Sequence, residues 1–222
     1  MHPGTVIEMP WAEQIAYYRA RAAEYDATAY GDPAAAGERI GTLVRALNPT
    51  GHVLEIACGT GLWTDKIRGY AQSLTAIDAA PEMIEQARGR MPDADIDFIV
   101  ADILSWAPPR RFDTVFFAFW LSHVPEASFE RFWWVVRDTL VDGGRAIFVD
   151  EQVSGAVHES YLADSTEIVE RRLTDGSAHR IVKVYRGPAD LVERLARAGW
   201  QARVEPVGAD WLIGDARQAG NR

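Results

Sequence analysis

The chain has 222 residues, 48% of them hydrophobic, and carries 23 Lys and Arg against 32 Asp and Glu, a net charge of −9. That size suits one α/β domain, and the apolar content excludes wholesale disorder. The acidic balance argues against nucleic acid as a partner, because neutralising phosphates supplies most non-specific affinity and normally needs a basic face. Cys58 is the single cysteine, so neither an intramolecular disulfide nor a multi-cysteine zinc site can form, and no metal is expected. The first thirty residues hold no continuous apolar stretch, and the longest apolar run, 115–121, is far short of the ~20 residues of a membrane helix. The expectation is a soluble, cytoplasmic single domain with no membrane partner, as a monomer or a homodimer.

Residues 11–26 read as a helix entered through Pro10, where no backbone donor is needed. Ile40, Leu43, Val44 and Leu47 recur at helical spacing over 34–47, and Asn48-Pro49 stops that helix. A β-branched and aliphatic run over 52–57 reads as a strand, followed by a glycine turn and a helix from Leu62. Strands are predicted over 74–78, 96–101, 113–119 and 145–149, and Pro81 opens a helix through residue 90. Phe129, Phe132, Trp133, Val136 and Leu140 share one helical face, and Asp142-Gly143-Gly144 is read as its end.

Residues 153–187 break this rhythm: 159–172 are predicted helical and 179–186 extended. A helix over 188–198, closed by Gly199, precedes strands over 200–207 and 210–214, and 215–222 read as a frayed tail. Alternation of apolar strands with helices implies a Rossmann-like three-layer α/β/α sandwich. Its seven-stranded sheet is expected to be mostly parallel, with an antiparallel C-terminal strand, because the last two strands are joined too tightly for a helical crossover. Residues 1–33 are expected to form a helical lid, and 153–187 to cover a substrate site.

On such sheets ligands bind beyond the carboxyl ends of the strands. The first strand runs into Glu55-Ile-Ala57-Cys58-Gly59-Thr-Gly61. The two glycines allow a sharp turn and close backbone approach to a ligand, and the following helix offers unpaired N–H groups. Alone, Gly-x-Gly is equally an ordinary tight turn. Asp78 lies seventeen residues after Gly61 at the second strand's end, where a carboxylate can accept from a ribose diol. Asp102 follows the third strand, so three neighbouring strands carry carboxylates near one edge. The set points to an adenosine-containing ligand. Thr64 stands where a dinucleotide fingerprint needs its third glycine, with bulky Trp63 beside it, which argues against NAD.

Taken in order, these motifs resemble the class I S-adenosylmethionine-dependent methyltransferases of the small-molecule type. Glu55-Ile-Ala57-Cys58-Gly59-Thr-Gly61 is similar to their first motif, with Ala57 in place of a frequent glycine. Ile77-Asp78-Ala79-Ala80-Pro81-Glu82-Met83 resembles the second, Val100-Ala101-Asp102-Ile103 the third, and Phe112-Asp113-Thr114-Val115 the fourth. The resemblance implies S-adenosylmethionine as cofactor and S-adenosylhomocysteine as product. It places Glu55, Ala57, Gly59 and Gly61 at the methionine part, Asp78 at the ribose, and Ala79, Met83, Asp102 and Ile103 around the adenine. Main chain at Ala118 and Phe119 would meet the methionine ammonium, and the Tyr17-Tyr18 segment would close over the cofactor.

Methyl transfer from a sulfonium demands mainly alignment and exclusion of water. His123, with an ordinary pKa of ~6.5, is the candidate base for an O or N acceptor, and equally a residue that caps a helix or lines the pocket. Asp150 and Glu151 are alternative bases or substrate anchors. Phe119 and Trp120 are expected to face an apolar substrate, and His158 and His179 to reach the site only if the insertion folds over it. Two other functions stay open: an RNA or DNA methyltransferase, though 117–120 lack the Asn/Asp-Pro-Pro-aromatic motif of amino-directed enzymes, and a non-catalytic cofactor-binding protein.

Overall fold

The computed structural model describes residues 11–220; Pro10 and the first ten residues of the expected 1–33 lid lie outside the described residues. The N-terminal segment divides into α1 (Trp11–Arg21), a 3-10 turn over Ala22–Glu24, and α2 (Tyr25–Ala29). The turn is where Ala22 is buried against Ala80 and Met83. α3 (Pro33–Leu47) starts at Asp32, whose side chain accepts from the Ala34 amide at 3.0 Å, and ends at Asn48 with φ 48°. A side-chain acceptor at the first turn and a left-handed residue after the last satisfy backbone groups that a helix end leaves open.

The alternating core follows: β1 (Gly51–Ile56), α4 (Leu62–Ile67), β2 (Ala71–Asp78), α5 (Pro81–Arg90), β3 (Asp97–Val100), β4 (Phe112–Ala118), α6 (Phe129–Thr139) and β5 (Leu140–Glu151). After the insertion, with β6 (Ile168–Arg172) and β7 (Ala178–Val182), come α7 (Pro188–Arg197), β8 (Trp200–Val207) and β9 (Trp211–Gln218). The sheet has seven strands in the order β3-β2-β1-β4-β5-β9-β8, and β3 through β5 pair in parallel. β9 is antiparallel to both its neighbours. This is the sandwich the alternation predicts. Side chains alternate across each strand, so Phe117 joins Phe132, Trp133 and Phe148 on one face while Phe116 joins Ile40, Val53 and Trp63 on the other. Phe117 and Phe148 stack at 5.5 Å, closed by the edge of Trp133 at 5.9 and 5.8 Å.

Two predicted elements are corrected. Residues 159–172 are no helix: Ile168–Arg172 pairs with Ala178–Val182 as an antiparallel hairpin, and Tyr161 bridges to Val169. Ile168, Val182 and Val184 bury each other, so β-branched packing overrides the polar, helix-compatible composition. Residues 215–218 are no frayed tail but the second half of β9. Gly214, read as the strand's end, lies inside it, and its lack of a side chain is needed there because the Phe148 ring occupies the space a Cβ would take, 2.1 Å away. The predicted terminator Asp142-Gly143-Gly144 likewise lies within β5, one turn after α6 has ended at Thr139.

The order reverses between β1 and β4, the switch point where open α/β sheets bind ligands. A roof of α1, α2 and the β6–β7 hairpin crosses this edge. Gln14 Oε1 accepts from the Val182 amide at 2.9 Å and Glu13 Oε1 from the Arg180 amide at 2.9 Å. Arg19 forks onto Glu82 of α5 at 2.9–3.0 Å, and Asp26 accepts from the Thr60 hydroxyl and pairs with Arg90. Within this roof the N-terminal helices are thus bonded both to the hairpin and to the glycine loop. Among the described residues no helix is long and apolar enough to cross a membrane.

Candidate active site and cofactor cleft

The loop after β1 has a left-handed backbone at Ala57 (φ 55°), Gly59 (φ 55°) and Gly61 (φ 83°). At Gly61 a Cβ would stand 2.8 Å from Met91 Cε and 3.0 Å from Ala87 Cβ, so glycine lets α5 close on the loop. At Gly59 nothing lies within 4 Å of a built Cβ, which leaves its open side for a ligand. Ala57 adopts the same backbone with a side chain, at a cost of roughly 1–2 kcal/mol. Its frequent replacement by glycine in the resembled motif therefore has a conformational reason as well as one of size.

Asp78, at the end of β2, accepts from the Gly59 amide at 2.9 Å and the Ala80 amide at 2.8 Å. A carboxylate has lone pairs beyond these two for ligand hydroxyls. Burial raises its pKa to about 6, against the lowering pull of those amides. Glu55 is 2% exposed, its Oε2 has no hydrogen-bond partner among the described residues, and burial raises its pKa to about 8.

Beyond the strand ends lies a cleft whose empty space, its open mouth included, is about 710 Å³. Ala57, Gly59, Asp78, Ala79, Met83, Asp102, Ile103 and Phe119 line it, so these eight predicted cofactor residues are brought together. Glu55 and Gly61 do not reach its wall: one is buried in β1, the other is taken up by α5. Asp102 accepts from the Leu104 amide at 3.0 Å and from Trp11 Nε1 of the roof at 3.2 Å.

A second cavity, about 1140 Å³ including its open mouth, meets the first at Tyr18, Tyr25, Phe119 and His123. Glu151 lines it, ion-paired with Lys183. Trp120, predicted at the substrate, lines the first cavity instead, where Trp11 meets it edge-on at 5.6 Å. Tyr17, predicted at the cofactor, faces away from the first cavity and packs with Val169, Leu173 and Ile181. Adjacent helical residues point about 100° apart, so Tyr18, and not Tyr17, lines the first cavity. The spacing of Trp11, Ile15 and Tyr18, all lining the first cavity, carries that phase. His179 lines neither cavity and contacts Ser177 at 3.1 Å; the side chain of His158 lies outside the described part of the structure.

His123 is 6% exposed, with Nδ1 2.7 Å from the Val182 carbonyl and Nε2 2.9 Å from the Tyr18 hydroxyl. The carbonyl can only accept, so Nδ1 carries the proton. Burial, then the charge of Lys183, holds the imidazole's pKa well below its ordinary value, so Nε2 keeps its lone pair and Tyr18 donates to it. The direct base predicted from sequence thus has no free nitrogen, and a proton reaches His123 only by way of Tyr18. Arg21, Arg171, Arg172 and Lys183, none singled out by sequence reasoning, also line the second cavity. Three of the four lie in the insertion, where no local pattern marks them.

A family described as "Methyltransferase domain" matches residues 53–144. Nodulation protein S of Rhizobium tropici is 35% identical over 71 residues, 32% of this chain and 30% of that protein. Ubiquinone biosynthesis O-methyltransferase of Xanthomonas euvesicatoria pv. vesicatoria (strain 85-10) is 28% identical over 155 residues, 67% of this chain and 62% of that protein. The chain therefore spans less than two thirds of the length of these curated relatives. A solved structure described as the DhpI-SAM-HEP complex is 41% identical, covering 96% of this chain and 100% of that chain with a TM-score of 0.84. With that likeness along nearly the full length, and the strand-end cleft above, the chain belongs to the class I S-adenosylmethionine-dependent methyltransferases.

Proposed function

We propose that the protein moves a methyl group from S-adenosylmethionine to an O or N atom of a small organic molecule. The observation that carries this reading is the pair of cavities sharing one seam at Tyr18, Tyr25, Phe119 and His123. One cavity has the carboxylates and glycine backbone suited to a nucleoside; the other is polar and separately open. The fit to the cofactor rests on the open side of Gly59 and the spare lone pairs of Asp78.

In this reading Asp78 accepts from the ribose hydroxyls, and Asp102 accepts from the adenine amino group in place of Trp11. Ala79, Met83 and Ile103 enclose the ring, while Ala57, Gly59 and the backbone at Phe119 hold the amino-acid end. When bound, the sulfonium supplies an already activated methyl group. The chain's work is to hold an acceptor in line with it and to keep water out. Tyr18, Tyr25 and Phe119 form the partition through which the acceptor atom must be presented, and His123 fixes the Tyr18 hydroxyl. The N-terminal segment and the hairpin act as the lid, since ligands must pass beneath them.

The test is calorimetry followed by a methyl-transfer assay. S-adenosylhomocysteine is expected to bind with a dissociation constant on the order of micromolar, and NAD not to bind. Radiolabelled methyl should pass to members of a panel of phenols, amines, carboxylates and thiols. NAD binding without a response to S-adenosylhomocysteine would reverse the reading.

A further inference from the structure

The second cavity is unusual for a protein of net charge −9. Arg21, Arg171, Arg172 and Lys183 line it against only two carboxylates, those of Glu24 and Glu151. Arg171 and Arg172 also pair with Glu159 and Glu170, and Lys183 with Glu151. Arg21 has weaker company: its guanidinium donates to the Thr28 hydroxyl at 3.0 Å and lies 4.8 Å from the Tyr25 ring centre. The phenols of Tyr17, Tyr18, Tyr25 and Tyr30 line the same space, and burial keeps each of them neutral, raising Tyr25 to about 12. A concave, partly dry wall of cations focuses its field and selects anions.

An independent observation concerns what the seam lacks. His123 is committed at both nitrogens. Asp150 accepts from the Ser122 amide at 2.9 Å and the Glu151 amide at 2.8 Å. Glu151 is paired with Lys183. Each candidate base thus has partners, so an acceptor that must first lose a proton is poorly served. An acceptor already negative at neutral pH needs no such base.

We propose that the acceptor is a small acid whose carboxylate-type or phosphate-type oxygen docks on Arg21, Arg171, Arg172 and Lys183 and itself takes the methyl group. This rests on the methyltransferase reading above. A lone pair of the oxyanion forms the new O–C bond, and the C–S bond breaks with its electrons kept by sulfur. The positive and negative charges cancel, so no proton is released. A phenol or a protonated amine would instead release one proton per turnover.

The protein loaded with S-adenosylhomocysteine is titrated calorimetrically with inorganic phosphate and with succinate. At least one should bind, and which one does separates the phosphate-type from the carboxylate-type acid. Arg21→Gln and Arg171→Gln should each weaken that binding about tenfold while S-adenosylhomocysteine affinity stays within about twofold and melting is unchanged; Arg171→Lys should restore part of it. In weak buffer near pH 8, above the second phosphate pKa of about 6, turnover of alkyl phosphate monoesters or dicarboxylates should yield S-adenosylhomocysteine without acidification. If neither anion binds the loaded protein, or if phenols or amines turn over with one proton each and acids do not, the proposal is overturned and the methyltransferase reading stands. If S-adenosylhomocysteine itself fails to bind, the underlying reading falls with it.

Discussion

The floor of the site and its roof are built by different means. The floor is one continuous stretch of sheet edge, in which a glycine loop and two aspartates are positioned by backbone amides of the loops that follow β1, β2 and β3. The roof joins residues more than a hundred positions apart, such as Tyr18 with His123 and Gln14 with Val182. A floor of local geometry suits a ligand common to a whole family, whereas a roof of long-range contacts can change with little disturbance below it. The contrast teaches that cofactor recognition and acceptor recognition should be separable by mutation.

The strongest test of that separation is Asp78→Ala, which removes the ribose acceptor and the anchor of Gly59. Affinity for S-adenosylhomocysteine should fall about 100-fold by calorimetry, since hydrogen bonds to a charged group contribute about 1.5–3 kcal/mol each. Arg171→Gln, in the roof, should barely change it.

A second test uses pH. Ribose hydroxyls favour the ionised carboxylate, and burial has raised Asp78 to about 6, so affinity should be maintained above pH 6 and fall up to tenfold for each unit below it. Asp78→Asn should bind weakly with a flat profile. For the ligand-free protein the sign is opposite. A raised acid pKa means that the folded state holds the proton more tightly than the unfolded one. The contribution of Asp78 and Glu55 to stability is therefore full below about pH 4 and lost as pH rises through about 6 and about 8.

Tyr18→Phe leaves the buried Nε2 of His123 without its donor. Methyl transfer should drop about tenfold and melting should fall by the equivalent of about 1–3 kcal/mol, while S-adenosylhomocysteine affinity holds. Unchanged turnover would remove Tyr18 from the partition. The smallest effect belongs to the floor. Ala57→Gly relieves a left-handed alanine (φ 55°) and should stabilise by about 1 kcal/mol in denaturant unfolding, after the flexibility glycine adds to the unfolded chain is subtracted.

Legibility followed the same division. Asp78, Gly59, Asp102, Ala79, Met83 and Ile103 were readable because each stands at a fixed offset from a strand end, and their cavity wall gathers them. Glu55 was recognised as part of a motif, yet its burial behind the loop depends on which face of β1 the core claims. That Tyr18 rather than Tyr17 lines the first cavity, and that Trp120 lines the first cavity rather than the second, are matters of orientation, which neighbouring elements settle. The insertion reads as helical in sequence because Glu-rich and Arg-rich composition suits a helix until a β-branched partner strand is at hand.

From the sequence alone came the alternating strands and helices, the parallel sheet with its reversed final strand, and the family of the nucleoside ligand. These rest on periodicity and on turn chemistry, which act over a few residues. Tertiary structure alone decided that the imidazole of His123 is spent on Tyr18 and the Val182 carbonyl, and that four cations converge on one hollow of an acidic protein. Both are meetings of distant segments, brought about by burial and hydrogen bonding between elements that carry no sign of each other in their own residues.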